Sequence, residues 1–256
     1  MDFDQRWRVE RVAETTSTNA DVAQRFRGGE PEGLVLVAEH QTQGRGRLGR
    51  EWVTSPGSSL IVSFLLVPEG VPPGRWPWLP LLTGIAAADA VRRVTGVEVG
   101  LKWPNDVLVE ERKLAGILLE RVGVADHWGA VLGIGINCQQ AQEELPVREA
   151  TSLALVTGGP VDRAALLGAL TEELGSLYDH WLAAGDVRER YLSRCVTVGQ
   201  QVRVAVPGGA VTGEAVDVDV DGRLVVRTAA GEEHLAAGDV VHVRGLDKLD
   251  HQSSDR

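Results

Sequence analysis

Gln41-Thr42-Gln43-Gly44-Arg45-Gly46-Arg47-Leu48-Gly49-Arg50 is the stretch that chooses between two folds. Read literally, Gly44, Gly46 and Gly49 satisfy the G-x-G-x-x-G fingerprint of a doubly wound, dinucleotide-binding sheet. That fold needs a helix opening directly after the last glycine, and here Pro56-Gly57 continues a loop. The parallel-sheet reading therefore fails. What remains is glycine interleaved with arginine: a backbone free to bend closely round an anion, and guanidiniums able to hold it by charge-assisted hydrogen bonds. A solvated basic surface loop, or one that touches nucleic acid, is the competing reading.

The flanks of this stretch alternate strands with helices. Trp7 to Ala13 reads as a strand, followed by the polar cluster Thr15-Thr16-Ser17-Thr18-Asn19 and a helical run from Ala20 to Phe26. Thr18 with Asp21 three residues on has the form of a capping box, which puts that cluster at a helix N-terminus. Leu34 to Glu39 and Leu60 to Val67 read as strands, the second apolar enough to be buried on both faces. The connection between them, residues 41–58, is long for a compact domain, and such loops are usually functional. Leu79 to Val94 reads as a buried helix of small residues. Short strands are expected around Val99 to Trp103, Val107 to Val109, Lys113 to Glu120 and Trp128 to Asn137. Leu167, Leu170, Leu174, Leu177 and Trp181 repeat at helical spacing within Asp162 to Ala184, and Gly185 stands just past the end. Beyond Cys195 the period drops to two. Val202, Val204 and Val206 alternate, as do Val216, Val218 and Val220, with turns at Pro207-Gly208-Gly209 and Asp221-Gly222. With Leu224 to Thr228, Ala230-Gly231 and Val240 to Val243, this run of short strands suggests a small all-β barrel.

Composition narrows the function classes. The 256 residues are 43% apolar and 24% charged, which suffices for a folded core in one or two domains. Acidic residues outnumber basic ones 36 to 26, a net charge of −10 that argues against nucleic-acid holding as the main work. Two cysteines, Cys138 and Cys195, fit neither a disulfide scaffold nor a metal motif. The charged N-terminus gives no signal peptide. The longest low-charge stretch, Trp76 to Ala88, contains two prolines and falls short of the ~20 apolar residues of a membrane span. A cytoplasmic protein is expected. Of the 26 basic residues only Lys102, Lys113 and Lys248 are lysine. Because lysine is a compact point charge and arginine a planar fork, each lysine retained in such a chain points to a position that needs one.

Four further segments carry candidate chemistry. Lys102-Trp103-Pro104-Asn105-Asp106 reads as a turn presenting a cation, an amide and a carboxylate, or simply as an Asn-Asp turn beside a packed Trp. Lys113 to Glu120 is a strand with Gly116 inside it, and Gly133 to Asn137 is a strand with a glycine at every other position. Glycine there marks close approach of a ligand or of another part of the chain. Ser17-Thr18-Asn19 serves equally as a helix cap or as a set of hydroxyl and amide groups for a small polar ligand.

Taken in order, Ser17-Thr18-Asn19, the loop from Gly44 to Arg50, Lys102 to Asp106, Lys113 to Glu120 and Gly133 to Asn137 resemble the biotin protein ligases. The resemblance implies an α+β fold. A mixed-sheet biotin/lipoate ligase-like catalytic domain would span residues 1–194, a small SH3-like β-barrel 195–245, and a polar, mobile tail 246–256. It implies activation of biotin with ATP and Mg²⁺ to biotinyl-5′-adenylate, then transfer to a lysine of a biotin carboxyl carrier domain. By motif, Ser17, Thr18, Asn19, Gln41, Arg45, Gly46, Arg47 and Lys113 would bind biotin, with Lys113 and Arg47 serving the chemistry. Arg50, Trp52, Lys102, Asn105, Asp106 and Asn137 would serve the nucleotide, while metal ligands stay unassigned. Many relatives carry a charged or polar residue where Leu48 stands. The resemblance further implies a monomer or weak homodimer with neither nucleic-acid nor membrane partners. The residues preceding Ser17 are too few for the winged helix-turn-helix that makes some members repressors. All five motifs precede Arg194, so the first half-reaction is expected to survive truncation there. Lipoate–protein ligases, with shared fold and chemistry, and a non-enzymatic nucleic-acid binder are the alternatives.

Overall fold

The computed structural model describes residues 6–184 and 186–243; Gly185 and the expected tail over residues 246–256 lie outside them. A seven-stranded sheet runs in the order β1-β2-β3-β7-β6-β5-β4. Its members are β1 (Arg8–Thr15), β2 (Leu34–Gln41), β3 (Ser59–Leu66), β4 (Gly100–Lys102), β5 (Asp106–Val109), β6 (Arg112–Val124) and β7 (His127–Asn137). Only β1 and β2 pair in parallel, joined through α1 (Thr18–Arg27), so the sheet is mixed as expected.

Period-two alternation assigns the faces. Val35, Val37, Leu60, Val62, Phe64, Leu132, Ile134 and Ile136 point into the main core under α2 (Trp78–Thr95) and α4 (Arg163–Ala184). Leu34, Leu36, Leu65, Val122 and Val131 point to the other face, where Val22, Ala23 and Phe26 of α1 cover them. α1 covers only part of that second face. On the uncovered part β6 and β7 present Gly116, Leu118, Gly133 and Gly135, and there a cavity opens. Burying each large apolar side chain in these layers contributes roughly 1.5–3 kcal/mol, and the expected leucine stripe of α4 is fully buried.

Two details correct the reading of the sequence. The N-cap of α1 is Ser17, whose hydroxyl accepts from Ala20 N, and the helix begins at Thr18. Thr18 is freed from capping because Gln41 offers its side chain a buried partner, and Asp21 accepts from Thr15 at 2.6 Å. Two five-residue helices, α3 (Leu153–Thr157) and α5 (Arg188–Leu192), are too short to show a period. Tertiary contacts hold α5: Asp89 on α2, 6% exposed, accepts from Arg190 and Arg194.

The second sheet, ordered β11-β10-β9-β8-β12, is antiparallel throughout. Its strands are β8 (Gln201–Val206), β9 (Gly209–Val218), β10 (Leu224–Thr228), β11 (Gly231–Leu235) and β12 (Asp239–His242). Among the described residues no ladder closes β11 onto β12. Val202, Val204, Ala215, Val218, Leu224, Val226 and Val240 belong to the same continuous core as α2 and α4. The indole N–H groups of Trp78 and Trp103 donate to Val220 O and Gly222 O at 2.9 and 3.1 Å. Backbone bonds from Leu101 N to Arg194 O and from Val196 N to Leu101 O run the connecting segment along β4.

Candidate active site

A neutral, hydrogen-bonding cluster closes one end of the cavity. Thr18, at the start of α1, donates from its backbone N–H (2.7 Å) and its hydroxyl (3.0 Å) to Gln41 Oε1 at the end of β2. Ser63 Oγ, on β3, lies 2.7 Å from Thr18 Oγ1 and 2.6 Å from Asn19 Oδ1. Asn19 Nδ2 donates to Glu120 Oε2 at 2.8 Å and faces Leu118 O at 3.3 Å. Thr18, Asn19 and Ser63 are all buried. With both amide hydrogens committed, Asn19 keeps acceptor capacity only on Oδ1.

The alternating glycines of β7 make room for the chain's own side chains. A Cβ at Gly133 would overlap the Asn19 amide, and one at Gly135 would overlap the Trp52 indole. Trp52 lies flat against the sheet, and Lys113 Nζ stands 5.9 Å from its ring centroid, within cation–π range. The same ammonium lies 2.6 Å from Asp106 Oδ1, across the bulge between β5 and β6. The Trp52 indole nitrogen lies against Gly135 and is buried with no hydrogen-bond partner among the described residues.

The glycine–arginine stretch forms the opposite wall. Gly46 N donates to Arg50 O and Trp52 N to Gly44 O, folding residues 44–52 into a tight flap. At its tip Leu48 adopts φ 56°, a left-handed conformation that costs a non-glycine residue roughly 1–2 kcal/mol, with its side chain 72% exposed. Three arginines tie the flap down. Arg45 reaches Glu120 at 3.4 Å, and Arg47 donates to Asn105 Oδ1 and Gly238 O, both at 3.1 Å. Arg50 pairs with Asp239, at the start of β12. Burial pushes the Arg47 guanidinium below its ordinary range, partly offset by the Asp106 and Asp239 carboxylates.

Ser17, Thr18, Asn19, Gln41, Arg45, Gly46, Arg47, Arg50, Trp52, Asn105, Asp106 and Lys113 all line this cavity. Lys102 and Asn137 do not. Asn137 is buried behind the site and donates to Thr151 O at 3.0 Å, and Thr151 N in turn donates to Lys113 O. Asn105 is spent on protein groups, accepting from Arg47 and donating to Ile117 O. Reading the sequence missed Ser63, Glu120, Glu51 and Asp239. A polar Ser63 inside an apolar strand was a usable signal, and Glu120 closes a quoted motif. Nothing local marks Asp239. Neutral donors and acceptors together with Lys113, Arg47 and Arg50, two of them paired with Asp106 and Asp239, suit a small ligand with a polar uncharged head and an anionic end.

Residues 9–137 match the Biotin/lipoate A/B protein ligase family, and residues 197–243 match the Biotin protein ligase C terminal domain. The Biotin--[acetyl-CoA-carboxylase] ligase of Mycobacterium tuberculosis is 42% identical over 93% of this chain and 90% of its own length. The chain belongs to the biotin/lipoate A/B protein ligase family. The Bifunctional ligase/repressor BirA of Bacillus subtilis is 31% identical over 82% of this chain and 66% of that protein. Among solved structures, biotin protein ligase from Aquifex aeolicus in complex with biotin and ATP superposes with a TM-score of 0.76 at 29% identity. That superposition covers 93% of this chain and 99% of the other. The polar cluster, Trp52, Asp106 and Lys113 lie inside the segment matching the ligase family. Gly238 and Asp239, which hold the flap, lie inside the segment matching the ligase C-terminal domain.

Proposed function

We propose that this chain is an ATP-dependent ligase that activates biotin as biotinyl-5′-adenylate and transfers it to one lysine of a biotin carboxyl carrier domain. The observation that carries this is one cavity lined both by the neutral groups of Ser17, Thr18, Asn19 and Gln41 and by the cations Lys113, Arg47 and Arg50, with the 44–52 flap as one wall. Ser17, Thr18, Asn19 and Gln41 receive the uncharged biotin head, and Arg45, Gly46 and Arg47 close over it. Arg50, Trp52 and Asp106 serve the nucleotide side, and Asn105 contributes by holding Arg47. Lys102 and Asn137 stand outside the cavity and receive no ligand contact in this reading. The catalytic unit over residues 1–194 and the β unit over 195–245 act together, since the second anchors the flap of the first. The proposed setting is the cytoplasm, where the free cysteines stay reduced.

In the first step a biotin carboxylate oxygen bonds to the α-phosphorus of ATP as the bond to pyrophosphate breaks. Two anions must meet, so Lys113 and Arg47 offset the repulsion and stabilise charge building on the transferring group. In the second step the acceptor amine bonds to the acyl carbon, loses a proton, and AMP leaves. Closure of the flap keeps water from the mixed anhydride between the steps. Mg²⁺ would come with the triphosphate, held mainly by phosphate oxygens, and would supply further positive charge at the reacting phosphate. The test is incubation with ATP, Mg²⁺ and biotin, then mass spectrometry for biotinyl-adenylate, with lipoate as the comparison acid. Adenylate from lipoate in preference to biotin, or from neither, overturns the reading.

A further inference from the structure

Glu120 belongs to none of the groups assigned above, yet it touches both the head pocket and the flap. It lies on β6 two residues beyond Leu118, so period-two geometry aims it at the same face. Pairing with Val131 of β7 fixes its backbone. Oε2 accepts from the buried Asn19 Nδ2 at 2.8 Å, and Oε1 lies 3.4 Å from Arg45 NH1. One carboxylate thus divides its oxygens between the amide that shapes the polar end of the cavity and the first arginine of the flap.

The Asn19 amide has two orientations half a turn apart. In this one Nδ2 faces Glu120 and Leu118 O, and Oδ1 faces Ser63 and Gly133, a residue of the cavity wall. Leu118 O at 3.3 Å is a weak anchor alone, so the carboxylate decides the orientation, and with it the presentation of an acceptor to the ligand. Arg45 is half-exposed and reaches Glu120 with residues 44–52 folded down over the cavity.

We propose that Glu120 is a positioning residue that couples the two: it holds Asn19 in the ligand-accepting orientation and docks Arg45 of the closed flap. Ligand bound at Asn19 then favours closure, and closure keeps the intermediate in place. This rests on the ligase reading above.

Two substitutions separate the arms. Glu120→Gln keeps an acceptor for Asn19 but loses the charge that attracts Arg45. Glu120→Ala loses both. The measurements are the biotin KM of adenylate formation, the dissociation rate of preformed biotinyl-adenylate, and the melting temperature. Glu120→Gln is expected to raise adenylate dissociation about threefold, the scale of an exposed ion pair, and to move the biotin KM by less than about twofold. Glu120→Ala is expected to raise the KM about tenfold in addition, as befits a lost hydrogen bond to a charged acceptor. Combined with Arg45→Ala, Glu120→Gln should accelerate dissociation no further than Arg45→Ala does alone. A wild-type protein that makes adenylate while both variants match it in KM and dissociation overturns this proposal and leaves the ligase reading standing. So do two variants that shift both quantities alike in step with a lowered melting temperature. A wild-type protein that makes no adenylate overturns the ligase reading, and this one with it.

Discussion

Lys113 Nζ lies 2.6 Å from Asp106 Oδ1, so the lysine that lines the cavity is held against a carboxylate. Its backbone is held as firmly. Lys113 N donates to Glu149 O, and Thr151 N donates back to Lys113 O, so residues 149–151 pair with it where the β5–β6 register shifts. A cation preset in this way needs little reorganisation when negative charge develops beside it, which is the condition under which electrostatic stabilisation is largest.

Lys113→Ala should therefore fold normally and fail in the first half-reaction. Removing one such charge contact costs roughly 2–4 kcal/mol in the transition state, or about 30- to 1,000-fold in rate. A pyrophosphate-release assay beside a melting curve checks it. An intact fold with wild-type adenylation would remove Lys113 from the chemistry.

The two glycines of β7 should fail differently. Gly133→Ala pushes against the Asn19 amide and should raise the biotin KM with little effect on the ATP KM. Gly135→Ala pushes against the Trp52 indole and should do the reverse, with a change in tryptophan fluorescence. Identical kinetic effects of the two would mean that the strand, and not the side chains it seats, is what matters.

The contrast shows what was legible in the sequence. The continuous apolar run of Leu60 to Val67 and the heptad-like leucines of α4 gave their elements directly, because a strand buried on both faces is apolar throughout and a helix must send one residue in three to four to the core. Gly133 and Gly135 announced close approach correctly, but what approaches is Asn19 and Trp52, about 80 or more residues away in the chain, and local spacing cannot name such partners. Asn137 read as a ligand group because it ends the same motif, whereas its amide is satisfied by Thr151 O. Asp239 carried no signal at all: its role exists only once the second sheet packs against the first.

Truncation after Arg194 tests that packing. Motif positions alone predict survival of the first half-reaction, and the structure predicts the opposite. Removal orphans the indole N–H groups of Trp78 and Trp103, at about 1–3 kcal/mol each, uncovers the continuous core, and releases Arg47 and Arg50. The truncated protein should melt early, bind a hydrophobic dye and make no adenylate. A cooperative melt at the full-length temperature would show that the two sheets are independent.

The second sheet should also carry an acid-sensitive contribution. Burial alone would raise the Asp219 carboxyl, but the His234 ring at 2.7 Å and the backbone N–H groups of Arg223 and Asp221 hold it below the ordinary range. A carboxyl lowered on folding adds stability that is fully present above its unfolded value, near 4, and lost as pH falls through the folded value. Urea midpoints measured from pH 6 to pH 3 should drop less steeply in Asp219→Asn than in the wild type. Parallel curves would place the acid sensitivity elsewhere.

Arg47→Gly gives the sharpest test of the flap. Arg47 is the half-buried anchor of the three, donating to both Asn105 Oδ1 and Gly238 O, and each such bond from a charged donor is worth about 1.5–3 kcal/mol. Arg45 and Arg50 remain, but their pairs with Glu120 and Asp239 are exposed and contribute only about 0–1 kcal/mol each. Glycine also adds about 0.5–1 kcal/mol of backbone freedom to the open state. The balance moves toward opening, so loss of the intermediate should rise far more than its synthesis falls. Biotinyl-adenylate is an activated acyl group, and once free it acylates any exposed lysine without docking. The measurement is biotin incorporation into an unrelated lysine-rich protein, alongside the dissociation rate of the preformed adenylate. Equal labelling and equal rates for Arg47→Gly and wild type would mean that the flap retains nothing, and that its contacts with Asn105 and Gly238 serve packing alone.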